Sequence, residues 1–350
     1  MPAPTRIQTA LVKGTFMRAA VVTAPGDFSI QTCPDPSPGP GEIIVAPRAV
    51  GICGTDLHIL DGEFPPAPYP LIPGHEFAGE VVAIASDVDG VSVGARIAVD
   101  PSLFCGHCIY CQRQRGNLCE NWGATGDTVN GAFAGLVAVP VRNAYAVPEA
   151  MSWGAAALVE PLACVVHGLR RLAMPAGSDL LIVGAGTIGL LLLQAARRSG
   201  AAEVSVIDTD PARRALAEKM GADSVTATLD EVLGARQAGF EYAIDATGVP
   251  AAAQTALSSL GRGGTMLVFG VAPADARLPL SQFKVYNEEI TIIGSMAVLN
   301  TFEPAMRLLG SGAIDVETML THTLPLEQFA TAVQLVRDRK GLKIQIDPAL

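Results

Sequence analysis

The sequence lacks an excess of positive charge. Its 24 Lys and Arg residues are outnumbered by 34 Asp and Glu, which gives a formal net charge of −10 at pH 7. Because nucleic-acid binding draws its affinity from clustered basic side chains, nucleic acid is not expected as a partner. The N-terminus also lacks a charged segment followed by an apolar core and a cleavage site. We therefore expect no secretory export and a cytoplasmic location.

Long uncharged apolar runs are also scarce. Residues 180–196, "LLIVGAGTIGLLLLQAA", carry no charge, and this length is near the lower limit for a membrane-spanning helix. The glycines in this run fall where a strand would turn into a helix. We therefore predict a soluble strand–turn–helix segment and no membrane association.

The chain is long enough for two domains, because single hydrophobic cores seldom exceed roughly 250 to 300 residues. Its 350 residues begin, after a short extension, with β-rich runs broken by Gly and Pro up to about residue 150. This pattern predicts an antiparallel, partly barrelled β domain. From residue 179 apolar strands alternate with helical segments, which predicts a doubly wound parallel sheet. A final strand-like segment, residues 343–347, could rejoin the first domain.

A glycine-rich turn indicates a dinucleotide site. Gly184, Gly186 and Gly189 form G-x-G-x-x-G, with Thr187 and Ile188 inside the motif. Such glycines allow a tight turn and close approach of the backbone to a pyrophosphate at a helix N-terminus.

The next predicted strand ends in an acidic residue, Asp208, which could bind the adenosine ribose. A carboxylate there would repel the extra phosphate of NADP, so NAD is favoured. Arg213 and Arg214 nearby leave NADP open. As an alternative, Asp208 could be a helix N-cap, a role for which Asp210 competes.

Two later strand ends should also meet the cofactor, because ligands of such sheets bind at the carboxyl ends of the strands. The candidate backbone contacts are Ala246, Thr247, Phe269 and Val271.

Four cysteines lie within sixteen residues, in "FCGHCIYCQRQRGNLC". Their spacing suits one tetrahedral zinc ion, and an all-Cys site leaves no coordination position open for a substrate. An iron–sulfur cluster, disulfides and free thiols are the alternatives. A structural zinc site is therefore predicted at Cys105, Cys108, Cys111 and Cys119.

A second candidate metal site combines Cys53 with the adjacent pair His75 and Glu76. Thiolate, imidazole and carboxylate around one zinc, with an exchangeable water, would make a catalytic site. Each residue alone has an ordinary structural explanation, as a buried thiol, a core histidine or a surface charge. Neighbours on an extended strand point to opposite faces, so His75 and Glu76 can share an ion only at a bend.

Taken together, these motifs resemble the zinc-containing medium-chain alcohol dehydrogenases, most closely the sorbitol/polyol and threonine dehydrogenase branch. The resemblance runs from about Met17 to the C-terminus. It rests on "GICGTDLH", "PGHEFAGEV", "CGHCIYCQRQRGNLC", "LVEPLACVVHGL", "VGAGTIG" and "IDTD".

The resemblance implies a fold and a domain order. A GroES-like, mostly antiparallel β catalytic domain with a structural zinc lobe is expected over residues 17–170 and 303–350. A Rossmann NAD-binding domain is expected over residues 171–302, and residues 1–16 form an N-terminal extension without an assigned role. Catalysis is expected in the cleft between the domains.

The resemblance also implies roles for individual residues. Cys53 and His75 correspond to ligands of a catalytic zinc, Glu76 to a third ligand, and Glu160 to a carboxylate that binds the metal directly or through water. Thr55 and His58 correspond to a proton relay. The implied reaction is reversible hydride transfer from a secondary alcohol to NAD, with zinc as Lewis acid and two zinc ions per subunit.

The substrate is less well specified than the reaction. The arginine and the aromatic residue of the polyol enzymes fall at Ala297 and Ile59, which are both apolar. A polyol or small diol is favoured, with threonine as the alternative. A non-catalytic NAD-binding protein is the rival from another class. By the same analogy, residues 290–295, "ITIIGS", are expected to join copies of the chain into a homodimer or homotetramer.

Overall fold

The computed structural model describes residues 15–234, 236 and 238–350, so the expected extension lies outside them apart from its last two residues. Contacts divide the chain into two compact units. Unit 1 contains the described residues up to Glu160 together with Leu320–Leu350, and unit 2 is Pro161–Met319. The first domain boundary lies 10 residues before the expected one (160 against 170). The second boundary lies 17 residues after the expected one (319 against 302).

Unit 1 is built mainly from short strands with a few helices. Its strands are β1 Phe16–Ala24, β2 Asp27–Pro34, β3 Glu42–Gly51, β4 Glu76–Ile84, β5 Arg96–Val99, β6 Ser102–Leu103, β7 Gly123–Ala124, β8 Val137–Pro140, β9 Ala144–Ala146, β16 Leu320–Pro325 and β17 Lys343–Asp347. Its helices are α1 Gly54–Asp61, α2 Ile109–Gln112, α3 Trp153–Ala157 and α12 Phe329–Arg337, and α4 Val159–Leu172 begins in it. Single 3₁₀ turns cover Gly116–Leu118, Val141–Asn143 and Leu326–Gln328.

The main sheet of unit 1 has seven strands, in the order β16-β17-β3-β4-β5-β9, with β8 paired to β3. β3 pairs antiparallel with β4 and with the C-terminal strand β17, as the sequence suggested for residues 343–347. Its core includes the fully buried rings of Phe77, Phe133 and Phe329, and the last two lie 4.8 Å apart between centroids. Burial of each such ring stabilises the fold by about 2 to 3 kcal/mol.

Unit 2 alternates strands and helices. Its strands are β10 Asp179–Val183, β11 Glu203–Ile207, β12 Ser224–Thr226, β13 Phe240–Asp245, β14 Leu260–Val268 and β15 Thr291–Gly294. Its helices, after α4, are α5 Thr187–Arg198, α6 Pro211–Lys219, α7 Leu229–Leu233, α8 Pro250–Ser258, α9 Gln282–Glu288, α10 Phe302–Gly310 and α11 Val316–Met319.

The sheet of unit 2 is parallel throughout, in the order β12-β11-β10-β13-β14-β15. This is the strand order of a dinucleotide-binding doubly wound sheet. Strands β11 and β12 are added on one side of β10 and strands β13 to β15 on its other side, so the order of strand addition switches between β10 and β13. The last residues of the central strands are paired neighbours: Val183 with Ile207 and Asp245, and Asp245 with Val268. The predicted combination of a doubly wound sheet with an antiparallel β domain is thus confirmed.

The uncharged run at residues 180–196 divides between β10, the glycine turn and α5. Within the described part of the chain, no helix combines the length and the apolar character needed to span a bilayer.

Candidate functional site

The β3–β4 pair brings three candidate donors together. Cys53 follows β3 and precedes the first residue of α1, whereas His75 lies just before β4 and Glu76 is its first residue. The last residue of β3, Gly51, is paired with Glu76. The thiol, one imidazole nitrogen and one carboxylate oxygen all lie within 4.8 Å of one another. We call Cys53, His75 and Glu76 the three-donor site.

Gly51 is required by this close approach. A Cβ atom at this position would lie 2.1 Å from Glu76 Oε2 and 2.8 Å from Lys343 Cε. Contacts this short do not occur between real atoms, so any side chain here would displace Glu76. His75 lies before the strand begins, so it is not bound by strand alternation and can face the same point as Glu76.

His75 is buried and faces two carboxylates through Nδ1. Asp127 Oδ1 lies 2.9 Å and Asp56 Oδ1 3.8 Å from this nitrogen. Burial alone would lower the pKa of His75, but the attraction of Asp127 and Asp56 raises this pKa well above its ordinary value. Because Nδ1 faces the carboxylates, Nε2 is the nitrogen left for a metal.

Asp56 supports Cys53 as well as His75. Its Oδ2 accepts a hydrogen bond of 2.8 Å from the backbone N–H of Cys53. Full burial raises the pKa of Asp56 to about 6, although the His75 charge and the Cys53 N–H lower it. The residue that positions the thiol is therefore itself a buried acid.

Lys343, the first residue of β17, is the buried cationic partner of Glu76. Its Nζ forms an ion pair with Glu76 Oε2 and donates to the carbonyl of Ile52 at 3.0 Å. Burial alone would lower the pKa of Lys343, but the charges of Glu76 and Cys53 raise it above its ordinary value.

The balance of charge around the three-donor site fits a divalent cation. Three buried carboxyl groups and one thiol face a single lysine and a single histidine. Negative groups buried in excess are costly unless a cation compensates them. Sulfur, nitrogen and oxygen donors are the set that zinc accepts in catalytic sites.

The other residues predicted for this region, Thr55, His58 and Glu160, each have their own surroundings. Thr55 Oγ1 lies 3.9 Å from Cys53 Sγ. His58 Nδ1 lies 2.8 Å from Glu63 Oε2, and 32% of the His58 side chain is exposed, which suits exchange with solvent. Glu160 is buried in the first turn of α4 and is not among the donors gathered at the three-donor site.

The four predicted cysteines form a second cluster, which we call the four-cysteine lobe. All four sulfur atoms lie within 4.8 Å of one another. Cys105 Sγ lies 4.0 Å from Cys111 Sγ, and Cys108 Sγ lies 3.9 Å from Cys119 Sγ. Zinc–sulfur bonds of about 2.3 Å in a tetrahedron require sulfur separations of about 3.8 Å, so the cluster fits zinc. The cysteines are all free, without disulfide bonds.

Backbone N–H groups prepare this lobe for anionic sulfur. Cys108 N donates to Cys105 Sγ at 3.3 Å, and Cys105 N and Asn121 N donate to Cys119 Sγ at 3.3 Å. Backbone hydrogen bonds lower the pKa of Cys105 to about 6, whereas desolvation raises the pKa of Cys111. Neighbouring thiols cannot all ionise at neutral pH without a cation between them.

The glycine turn of unit 2 follows β10. Gly184 has φ of +105°, and a Cβ there would lie 2.5 Å from Thr247 Cγ2. A Cβ at Gly189 would lie 1.8 Å from the carbonyl oxygen of Gly184. Gly186 is the N-cap residue of α5, whose first two residues are Thr187 and Ile188. The backbone N–H groups of a helix N-terminus are therefore exposed at a turn too tight for side chains, as a pyrophosphate site needs.

Asp208, which follows β11, is fixed beside this turn. Its Oδ2 accepts from Ala185 N at 2.7 Å and its Oδ1 from Asp210 N at 2.8 Å. The N-cap of α6 is Asp210, whose side chain accepts from Ala212 N at 2.8 Å. The alternative role of Asp208 as a helix cap is thus taken by Asp210.

The remaining cofactor candidates lie at the same carboxyl edge of the sheet. Ala246 and Thr247 follow β13, and Phe269 follows β14. Val271 is 71% exposed. Arg213 Nη1 lies 3.0 Å from the place that a Cβ of Gly186 would occupy, so its guanidinium lies at the glycine turn.

Two parts of the chain match known protein families. Residues 39–149 match the alcohol dehydrogenase GroES-like domain family, and residues 187–311 match the zinc-binding dehydrogenase family. The chain belongs to the zinc-binding alcohol dehydrogenase family. It is accordingly an oxidoreductase, and the resemblance recognised from its motifs is confirmed.

Relatives match this dehydrogenase over nearly its whole length. D-arabinitol dehydrogenase 1 of Uromyces fabae is 35% identical over 341 residues, covering 95% of this chain and 97% of the relative. Sorbitol dehydrogenase of Bacillus subtilis (strain 168) is 34% identical over 346 residues, with 95% and 97% covered. A crystal structure of a protein assigned as a zinc-binding dehydrogenase, from Sinorhizobium meliloti 1021 and bound to NADP, superimposes with a TM-score of 0.92. It is 33% identical, and the match covers 96% of this chain and 100% of that one.

Sequence reasoning missed three buried residues that surround the three-donor site of this dehydrogenase: Asp56, Asp127 and Lys343. Asp56 stands inside the quoted motif "GICGTDLH", and its position three residues after Cys53 was a usable signal for a helix-start acceptor. Lys343 opens the alternating strand "KIQID", where a buried charge was not expected. We find no local signal for Asp127.

Proposed function

We propose that this dehydrogenase reversibly oxidises a secondary alcohol, in the form of a polyol or small diol, to a ketone and passes the hydride to NAD. The observation that carries the proposal is the three-donor site, in which Cys53, His75 and Glu76 converge among buried acidic groups. Such a mixed set holds zinc and leaves one coordination position for an oxygen ligand.

We assign Cys53, His75 and Glu76 as the ligands of a catalytic zinc. Glu76 is preferred to Glu160 as the third ligand because it belongs to the group of donors within 4.8 Å. For Glu160 we keep the role of a carboxylate that acts on the metal through water. When bound by these residues, zinc would supply Lewis-acid chemistry for the alcohol oxygen, and the nicotinamide would supply a hydride acceptor.

The chain's own residues handle the proton. Thr55 Oγ1 lies close to Cys53 Sγ, and its hydroxyl can accept the alcohol proton and donate its own. His58 is partly exposed and paired with Glu63, so it can pass that proton to solvent. We assign Thr55 as the first member and His58 as the second member of this relay.

For the cofactor we propose NAD. The Asp208 carboxylate is held by two backbone N–H groups, so it cannot easily turn away from a ribose 2′-phosphate. Arg213 at the glycine turn is the residue that would favour NADP, and the related Sinorhizobium protein was crystallised with NADP. Thr187, Ile188, Ala246, Thr247, Phe269 and Val271 are proposed as the surrounding contacts. A second zinc in the four-cysteine lobe completes the proposed cofactor set.

The substrate class is supported by the relatives named for arabinitol and sorbitol. Within that class, a small diol suits the absence of an arginine at Ala297, because each buried hydroxyl of a longer polyol needs a partner. Ile59 is moreover fully buried in the core of unit 1. It therefore offers no side chain to a ligand.

The proposal is tested with vicinal diols, pentitols, hexitols, threonine and simple secondary alcohols, by measuring NADH formation from NAD and NADPH formation from NADP. Zinc content is determined on the same sample. We expect turnover with a diol or polyol, a kcat/KM at least about tenfold higher with NAD, and two zinc ions per chain. Turnover with threonine alone would contradict the substrate class, and higher kcat/KM with NADP would contradict the role of Asp208.

The same proposal includes a homo-oligomer in a reducing compartment such as the cytoplasm. β15 is an edge strand of the unit 2 sheet and its Ile292 is 38% exposed, which leaves a strand edge for pairing with a second copy. The seven free cysteines suit a compartment that keeps thiols reduced. Light scattering of the purified protein tests the assembly, and a monomer at micromolar concentration would contradict it.

A further inference from the structure

The loop after the four-cysteine lobe approaches His75 unusually closely. Gly131 N donates to Ile72 O at 2.7 Å and Ala132 N donates to Gly74 O at 2.9 Å. A Cβ at Gly126 would lie 2.5 Å from the carbonyl of Gly74. The two backbones thus touch directly at glycines, which brings the residue after Gly126 next to His75.

That residue is Asp127. Its side chain is buried, and its Oδ1 lies 2.9 Å from His75 Nδ1. Asp56 is farther from the same nitrogen, at 3.8 Å, and its other oxygen is engaged by Cys53 N. Of the two acids, Asp127 is therefore the closer to the ring and forms the shorter ion pair with it.

A histidine that binds a metal through Nε2 must carry its proton on Nδ1. An acceptor at Nδ1 fixes this tautomer and the plane of the ring, and it increases the basicity of the ligating nitrogen. A carboxylate does so more strongly than a neutral acceptor, because a charge-assisted hydrogen bond is roughly twice as strong.

We propose that Asp127 is the positioning residue of His75, fixing the Nδ1–H tautomer and the ring plane so that Nε2 faces the point shared with Cys53 and Glu76. This inference rests on the proposed zinc site and adds a residue outside the motifs that define it. In this role Asp127 acts through His75.

The position of Asp127 depends on the chain that leads to it. β6 and β7 pair at the two ends of the four-cysteine lobe, with Leu103 opposite Gly123 and Ser102 opposite Ala124. Thr125 N then donates to Pro101 O at 2.9 Å, and Asp127 N to Ala124 O at 3.1 Å. The lobe is thus clamped where the chain leaves it, three residues before Asp127.

The test compares zinc affinity in Asp127→Asn and Asp127→Glu. Thr128→Ala is the matched control, since Thr128 lies next to Asp127 and its Oγ1 accepts from Ala124 N and donates to Ala124 O in the same loop. Metal-free protein is titrated with zinc against a chelator, and the zinc of the three-donor site is identified as the ion that Cys53→Ala fails to bind. Cobalt substitution adds a spectrum of the ligand field at the same site.

We expect Asp127→Asn to weaken zinc binding at the three-donor site by about 10- to 100-fold and to shift the cobalt bands. Asp127→Glu should recover part of the affinity because it restores a carboxylate, and Thr128→Ala should stay within about twofold of the parent. The inference is overturned if Asn and Glu behave alike, if Asp127→Asn binds zinc like the parent, or if Thr128→Ala loses as much affinity.

The outcome is separable from that of the proposed function. A parent protein that binds zinc in the four-cysteine lobe alone would overturn both. A parent that binds two zinc ions and oxidises alcohols, with unchanged zinc affinity in Asp127→Asn, would overturn the role of Asp127 and leave the proposed function standing.

Discussion

The three-donor site and the four-cysteine lobe lie in the same unit and suit the same metal, yet they are built in different ways. The lobe takes all its donors from residues 105–119, and backbone N–H groups of that short segment support the sulfur atoms. The three-donor site takes its donors from the end of one strand and the start of the next, and surrounds them with Asp56, Asp127 and Lys343.

This difference shows how two sites for the same metal can serve two purposes. Four thiolates would satisfy a tetrahedral ion completely, so an ion in the lobe would hold structure and have no position free for a substrate. Three mixed donors leave a position free, and the surrounding acids and lysine then decide how firmly each donor is held. Variants that remove one donor from each site should therefore fail in opposite ways.

The largest effect is expected for Cys53→Ala. Loss of one of three ligands should lower kcat by at least about 1,000-fold, equivalent to about 4 kcal/mol, and leave NAD affinity and the melting temperature near those of the parent. Steady-state kinetics, fluorescence titration with NADH and calorimetry measure these quantities, with Cys33→Ala as the control for loss of a thiol. Normal turnover in Cys53→Ala would mean that the site is wrongly assigned.

Cys108→Ala should show the reverse pattern. Loss of a lobe ligand should lower the free energy of unfolding by about 3 to 4 kcal/mol, because loss of a bound metal is among the most damaging changes a fold can undergo. The protein that stays folded at low temperature should keep most of its turnover. Denaturant unfolding gives the stability, and a variant as stable as Cys33→Ala would contradict a structural role for the lobe.

A smaller effect is expected for Lys343→Gln. In metal-free protein the change leaves Glu76 buried without its ion-pair partner, which should cost about 3 kcal/mol of stability. With zinc bound, the cation holds the Glu76 charge, so the cost should fall by at least half. Lys340→Gln is the control, because Lys340 pairs with Asp338 at the surface and its side chain is 68% exposed. Equal losses with and without zinc would contradict the proposed ligation by Glu76.

The sequence predicted some of these site residues and not others. The lobe and the glycine turn were recognisable because their function depends on spacing within about twenty residues, and local geometry then places the atoms. Asp208 was recognisable for the same reason, since it ends the strand after the glycine turn. The roles of Asp127 and Lys343 were not recognisable, because nothing in "TGDT" or "GLKIQID" distinguishes a buried partner of a ligand from an ordinary loop or surface charge.

The sequence also could not decide between Glu76 and Glu160 as the third metal ligand. The family resemblance made both carboxylates candidates for the third ligand, since each stands in one of the segments that carry the resemblance. Only the pairing of Gly51 with Glu76 gathers one of them with Cys53 and His75. The contact between Lys343 and Glu76 likewise requires β17 to pair with β3 across almost 300 residues of intervening chain.

By itself, the sequence determined the two-part fold, the glycine turn and the candidate donor residues, because these depend on periodicity, glycine placement and the chemistry of single side chains. The tertiary structure alone decided which acids surround those donors and which one faces His75. Charges separated along the chain interact only once the backbone has brought them within a few ångströms, and burial then makes each of those contacts count.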